Sequence, residues 1–100
     1  MEIIIQFVKL PTNDYLESFV TKKLNKLYKK YSWIIKAQVF FKHKTDPKGK
    51  GQICEIQLSH IGPKIFAGSN EISYEEAAAE TIRDLEIQLE KLKSKMKPYQ

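Results

Sequence analysis

The side chains able to do chemistry in this sequence are few, and most of them are lysines. His43 and His60 are the only imidazoles. His43 stands between Lys42 and Lys44, and His60 closes an alternating run just before Gly62-Pro63, so each reads as a solvated or strand-terminal histidine. Cys54, the one cysteine, falls at an apolar position of an alternating segment and reads as a small buried hydrophobe. A single cysteine supports neither an intramolecular disulfide nor a cysteine-based metal cage. Glu75, Glu76, Glu80, Asp84, Glu86 and Glu90 wrap around a helical segment instead of converging, and Lys48-Gly49-Lys50-Gly51 lacks the spacing of either nucleotide-binding loop. Catalysis needs a nucleophile, a base or a metal set with suitable neighbours. The sequence therefore predicts no enzyme, no metal and no cofactor.

The lysines are arranged unevenly. The net charge of +5 averages ten lysines and one acid, Asp46, within residues 20–50 against seven acids and only Arg83 within residues 71–90. A local excess of +9 points first to a polyanion. Lys22, Lys26 and Lys29 form one ridge, with Lys23 and Lys30 on its shoulder. A second group is Lys42, Lys44, Lys48 and Lys50, and a third runs from Lys91 through Lys93 and Lys95 to Lys97. Together they could make one electrostatic footprint. Lysine contacts phosphate as a point charge, which sets position and salt dependence without reading sequence. With Arg83 as the only arginine, bidentate base recognition should be a small part of binding. The expectation is a shaped RNA surface instead of a short sequence.

Six elements must position these residues. Residues 2–8 are β-rich, with Ile3, Ile5 and Phe7 on one face. Pro11-Thr12-Asn13-Asp14 gives a turn and a choice of N-caps, with Asp14 and Glu17 at the spacing of a capping box, and Leu16, Phe19, Val20, Leu24, Leu27, Tyr28 and Tyr31 then form one apolar stripe of a long helix. From Ile34 to Lys44 the period becomes two, with Ile35, Ala37, Val39 and Phe41 inward and Lys36, Gln38, Phe40 and Lys42 outward. A basic loop leads to a third strand over 52–60, with Cys54, Ile56 and Leu58 inward. A short fourth strand over 64–69 follows Gly62-Pro63. Ser73 and Glu76 then open a second helix reaching about Lys97, with Ala78, Ile82, Leu85, Leu89, Leu92 and Met96 on its stripe.

The order β-α-β-β-β-α predicts an α+β two-layer sandwich, a four-stranded sheet with both helices on one face, as in double-stranded-RNA-binding domains. Its open face should carry Gln6, Lys36, Gln38, Phe40, Lys42, Glu55 and Gln57. At 100 residues, 42% apolar and 29% charged, the chain is expected to be one domain over 1–100 with its own core. The lone cysteine, the lack of a signal-peptide pattern and the lack of a membrane-length apolar run point to the cytoplasm.

A double-stranded-RNA-binding domain should have a basic start to its last helix, and here that segment is Ser73-Tyr74-Glu75-Glu76-Ala77. The chain instead resembles, over nearly all its length, the family of hibernation-promoting factors and ribosome-associated inhibitor A, also called sigma-54 modulation proteins. The resemblance lies in the leading strand, Phe19-Val20-Thr21-Lys22-Lys23-Leu24-Asn25-Lys26-Leu27 and Ala37-Gln38-Val39-Phe40-Phe41. It continues in Cys54-Glu55-Ile56-Gln57-Leu58, Ile65-Phe66-Ala67 and Ser73-Tyr74-Glu75-Glu76-Ala77. Ending after the second helix, the chain looks like the short form of the family.

The resemblance implies a translation regulator that occupies the messenger- and transfer-RNA channel of the small ribosomal subunit and keeps idle ribosomes inactive under slow growth or stress. Its partners would be the subunit's RNA and proteins, in competition with messenger and transfer RNA, with no membrane and no small-molecule substrate. Lys23 and Lys26 match basic positions of the family's first helix, Lys42 lies near the basic end of its second strand, and Arg83, Gln88, Lys91, Lys93 and Lys95 lie in its second-helix segment. Glu86, Ile87 and Glu90 stand where the family is usually basic. Ile87, about 140° around the helix from Ile82 and so towards solvent, implies either a weaker ribosome footprint or a protein contact in place of an RNA one. The alternative is a protein–protein interaction module of the same fold with weak or no ribosome binding.

Overall fold

A computed structural model describes residues 1–96, and the sequence expectation for Lys97 falls outside them. The elements are β1 (Glu2–Phe7), α1 (Asp14–Lys30), β2 (Lys36–His43), β3 (Gln52–Ser59), β4 (Ile65–Glu71) and α2 (Tyr74–Met96). The strands form one sheet in the order β1-β2-β3-β4, with β1 parallel to β2 and the other pairs antiparallel. A parallel pair needs a crossover, which α1 supplies.

Alternation decides which sheet face the helices cover. Ala37, Val39 and Phe41, Cys54, Ile56 and Leu58, and Ile65 and Ala67 are all buried, against Leu16, Val20, Leu24 and Leu27 of α1 and Ala77, Ala78, Leu85 and Leu89 of α2. In register, Ile5, Val39, Ile56 and Ala67 make one row across the four strands. Each leucine buried this way contributes about 1.5–3 kcal/mol. The open face carries the row Ile4, Gln38, Gln57, Phe66 and the row Gln6, Phe40, Glu55, Gly68, matching the α+β sandwich expected from the sequence. The hydroxyl of Thr81 lies 3.1 Å from the Cys54 carbonyl and 2.7 Å from that of Ala77, which ties α2 to β3 inside the core. Tyr74 donates to the Lys42 carbonyl at 3.0 Å and Gln88 to the Phe66 carbonyl at 2.9 Å, pinning α2 to β2 and β4.

Local chemistry corrects several sequence boundaries. Asn13, not Asp14, caps α1, because its extended backbone lets Oδ1 accept the Leu16 N–H at 3.1 Å. Asp14 becomes the first helical residue and favours the dipole with Glu17. Ile35 is 56% exposed, while Ile34, held under the end of α1 by its N–H bond to the Tyr31 carbonyl, takes the core place that alternation assigned to Ile35. β4 runs on to Glu71, since β3 offers partners as far as Gln52. On α2 the buried face includes Ala77 and Thr81, and Met96 is 49% exposed at its far end. Ser73 does cap α2, its Oγ accepting the Glu76 N–H at 3.1 Å. In the β2–β3 loop Gly51 has φ +134°, and a Cβ there would collide with the Lys44 carbonyl, so the turn requires glycine.

Candidate nucleic-acid interface

The burial of Leu16, Val20, Leu24 and Leu27 turns the opposite side of α1 to solvent, with Lys22, Lys26 and Lys29 exposed on it. Among the described residues none of these three lysines is paired with a carboxylate. Phe19, Lys22, Lys23 and Lys26 line one groove that contains no acid, and the Lys23 ammonium lies 5.1 Å from the Phe19 ring centroid. The ridge read from the sequence is therefore a continuous cationic surface.

Toward α2 the character changes. Lys23, Lys26 and Lys30 face Ile82 and Glu86 across the interhelical groove, and Lys30 Nζ bonds Glu86 Oε2 at 2.8 Å. The hydrogen bond and the charge of Glu86 raise the Lys30 pKa and hold it charged. The Tyr31 hydroxyl donates to Glu90 Oε1 at 2.6 Å and holds that carboxyl below its usual range. Burial and the same bond push the Tyr31 phenol up. Lys30 and Lys93 approach the Tyr31 ring at 5.6 and 5.8 Å. Glu86 and Glu90 thus answer cations and a phenol contributed by α1 and by their own helix. Ile87 lies beside them, 53% exposed, in a groove shared with Lys30, Arg83 and Lys93.

The remaining expected contacts are dispersed. Arg83 pairs with Glu80 one turn away on α2. Lys42 projects from the open sheet face and pairs with Glu55 at 2.7 Å, on the side of the sheet away from the helices. Lys44 is exposed where β2 enters its loop, and nearby Lys50 pairs with Glu71 at 3.8 Å. Lys93 faces α1, whereas Lys91 and Lys95 line a groove on the other flank of α2 with His60, Pro63, Lys64, Ile65, Gln88 and Leu92. Lys64 and His60 were not expected in any cationic surface. The one sequence signal for Lys64 is its place directly after the Gly62-Pro63 turn.

Two of the groups suited to other chemistry, Cys54 and His60, are packed into the fold. Cys54 is buried and its thiol is pushed up to about 12, so it is a poor nucleophile. His60 packs edge-on against Trp33, and its Nδ1 accepts the Gly62 N–H at 3.0 Å. His43 is exposed at the end of β2. Among the described residues no three His, Cys, Asp or Glu side chains gather as a metal site, and no helix is long and apolar enough to cross a membrane. The arrangement can bind a polyanion along α1 through phosphate contacts.

The backbone matches known structures. It is similar to a ribosomal subunit interface protein from Coxiella burnetii, with a TM-score of 0.82 and 22% identity, covering 94% of this chain and 99% of that one. It is also similar to the N-terminal domain of Thermus thermophilus Protein Y, with a TM-score of 0.76 and 23% identity, covering 92% of this chain and 99% of that one. At these identities the likeness establishes the fold. No curated protein matches the sequence. The family model described as sigma 54 modulation protein / S30EA ribosomal protein matches residues 3–97. With that match running from β1 through the whole of α2, the chain belongs to the sigma-54 modulation protein / S30EA ribosomal protein family of ribosome-associated factors.

Proposed function

We propose that this protein, acting in the cytoplasm as one domain over 1–100, binds the small ribosomal subunit in the channel used by messenger and transfer RNA and keeps idle ribosomes inactive. It acts by steric occupation, without catalysis. The observation that carries this reading is the lysine surface of α1, where Phe19, Lys22, Lys23 and Lys26 line a groove without acids and Lys29 is exposed on the same helix, on a chain of a ribosome-associated family. Phosphate contacts by lysine set position and depend steeply on salt, which suits a structured RNA cleft. Lys44 and Lys93 extend the contact, while Lys30, Lys42 and Arg83, each already paired with a glutamate, contribute less.

Co-sedimentation with small subunits across a salt series tests the reading, with messenger and transfer RNA added as competitors. Binding at low salt that falls steeply with salt and yields to the competitors is expected. Lys22→Glu, Lys26→Glu and Lys29→Glu together should remove it, and no association of the unaltered protein at low salt refutes the reading. A protein–protein module is the second reading, favoured by the exposed Ile87 set among Glu86 and Glu90. Capture from lysate that survives ribonuclease and depends on Ile87 would select it.

A further inference from the structure

Two grooves of the described surface are lined by lysines with no carboxylate among them, and they lie on different sides of the molecule. One is the Phe19, Lys22, Lys23, Lys26 surface of α1. The other is formed by Lys64 from the β3–β4 turn with Lys91 and Lys95 of α2, over an apolar floor of Pro63, Ile65 and Leu92. At 100° per residue, Lys91 and Lys95 stand roughly 140° and 180° around α2 from Glu86, which faces α1. Glu80, Ile87 and Glu90 occupy the arc between them. A helix is about 10–12 Å across with its side chains, close to the Debye length at physiological salt. The two lysine surfaces are therefore electrostatically separate, and the acids between them oppose one RNA strand passing over α2.

We propose that the groove formed by Lys64, Lys91 and Lys95 is a second RNA-phosphate site, so that one molecule bridges two RNA segments. This rests on the RNA-binding reading above and deepens it. Lys91 and Lys95 are one turn apart, about 6 Å along the helix axis, comparable to the step between neighbouring phosphates of a strand. Lys64 reaches the same groove from the β3–β4 turn, so the site has two walls instead of a single stripe. Asp84, the carboxylate of α2 on that flank, accepts from Gln88 Nε2 at 3.5 Å but does not itself line the groove, and it lies seven residues before Lys91, about 10 Å along the axis. Gln88, which donates to the Phe66 carbonyl at 2.9 Å, ties α2 to the β4 edge and lines the groove. Lysine without arginine fits phosphate contact that does not read bases.

The test is the stoichiometry of complexes with a 12-base-pair RNA hairpin at about 0.15 M salt, where the two surfaces are screened from each other, read by sedimentation equilibrium, which also gives the protein's own state. One protein with two hairpins is expected. The variant Lys64→Glu, Lys91→Glu, Lys95→Glu should take one hairpin, as should Lys22→Glu, Lys26→Glu, and the combination none. All five positions are exposed or half-exposed, and circular dichroism checks that the variants fold. On small subunits the triple variant should lower the slope of log affinity against log salt by about 2–3. A single hairpin on the unaltered protein overturns the second site, as does a 20-residue polyglutamate that displaces RNA from this groove at equal concentration. If the protein still sediments with small subunits in that case, the channel reading stands. Two hairpins without subunit association would instead refute the channel reading and leave the second site in place.

Discussion

Changing Glu86 to Gln is expected to tighten binding to small ribosomal subunits. Lys30 sits at the end of the α1 lysine surface, and Glu86 neutralises it at 2.8 Å. Glutamine keeps the length and an acceptor oxygen while removing the charge, so Lys30 becomes free to meet a phosphate. One additional phosphate contact steepens the slope of log affinity against log salt by about 0.7 to 0.9. Over a fourfold rise in salt, from 50 to 200 mM, the advantage of the variant should therefore shrink by about threefold. The assay is subunit binding at several salt concentrations for four proteins: unaltered, Glu86→Gln, Lys30→Gln and the double variant. Lys30→Gln alone should weaken binding, because it leaves the Glu86 carboxylate uncompensated, and it should cancel the gain when added to Glu86→Gln. Parallel salt plots for the unaltered protein and Glu86→Gln refute the reasoning. So does a gain that persists in the double variant, because removed repulsion would then explain it without Lys30.

Thr81→Val should lower stability by about 1 kcal/mol in urea unfolding with an unchanged denaturant slope, since it strips a buried hydroxyl from the Cys54 and Ala77 carbonyls; a more stable variant would show that burying the hydroxyl outweighs its bonds. Glu90→Gln should be less stable than the parent near neutral pH and converge with it in acid. The Tyr31 hydroxyl lowers the folded Glu90 pKa, so the stabilisation is complete above the ordinary glutamate value of about 4.3 and is lost as pH falls through the lowered value. A gap that stays constant from pH 7 to pH 2 would contradict this. Cys54, with its thiol pushed up to about 12, should resist iodoacetamide at pH 8 in the native protein and react fully in urea; native labelling at the rate of a free thiol would show that it is reached without unfolding.

The elements were legible because their signals are local. The stripe from Leu16 to Tyr31 and the alternations around Val39 and Ile56 each need only a short window of residues, and Leu16, Val20, Leu24, Leu27, Tyr31, Val39 and Ile56 are buried as those periods require. Ends were less legible because they depend on competition among neighbours. Asn13 and Asp14 can both cap a helix, and backbone geometry selects Asn13. Ile34 and Ile35 are chemically equivalent, and the turn after Tyr31 decides which one enters the core. The site was legible on α1, where spacing alone places Lys22, Lys26 and Lys29 on one side.

The sequence by itself determined the six elements, the face each one buries and the excess of lysine on the first helix, because periodicity and composition act over a few turns of chain. Only the tertiary structure decided which lysines are free. Lys30 meets Glu86 across 56 residues, Tyr31 meets Glu90 across 59, and Lys42 meets Glu55 through sheet register. It also carried Lys64 to Lys91 and Lys95 on the far flank of α2. Charge acts through distances of a few ångströms in space, and the distance between residues far apart in the chain is set by packing.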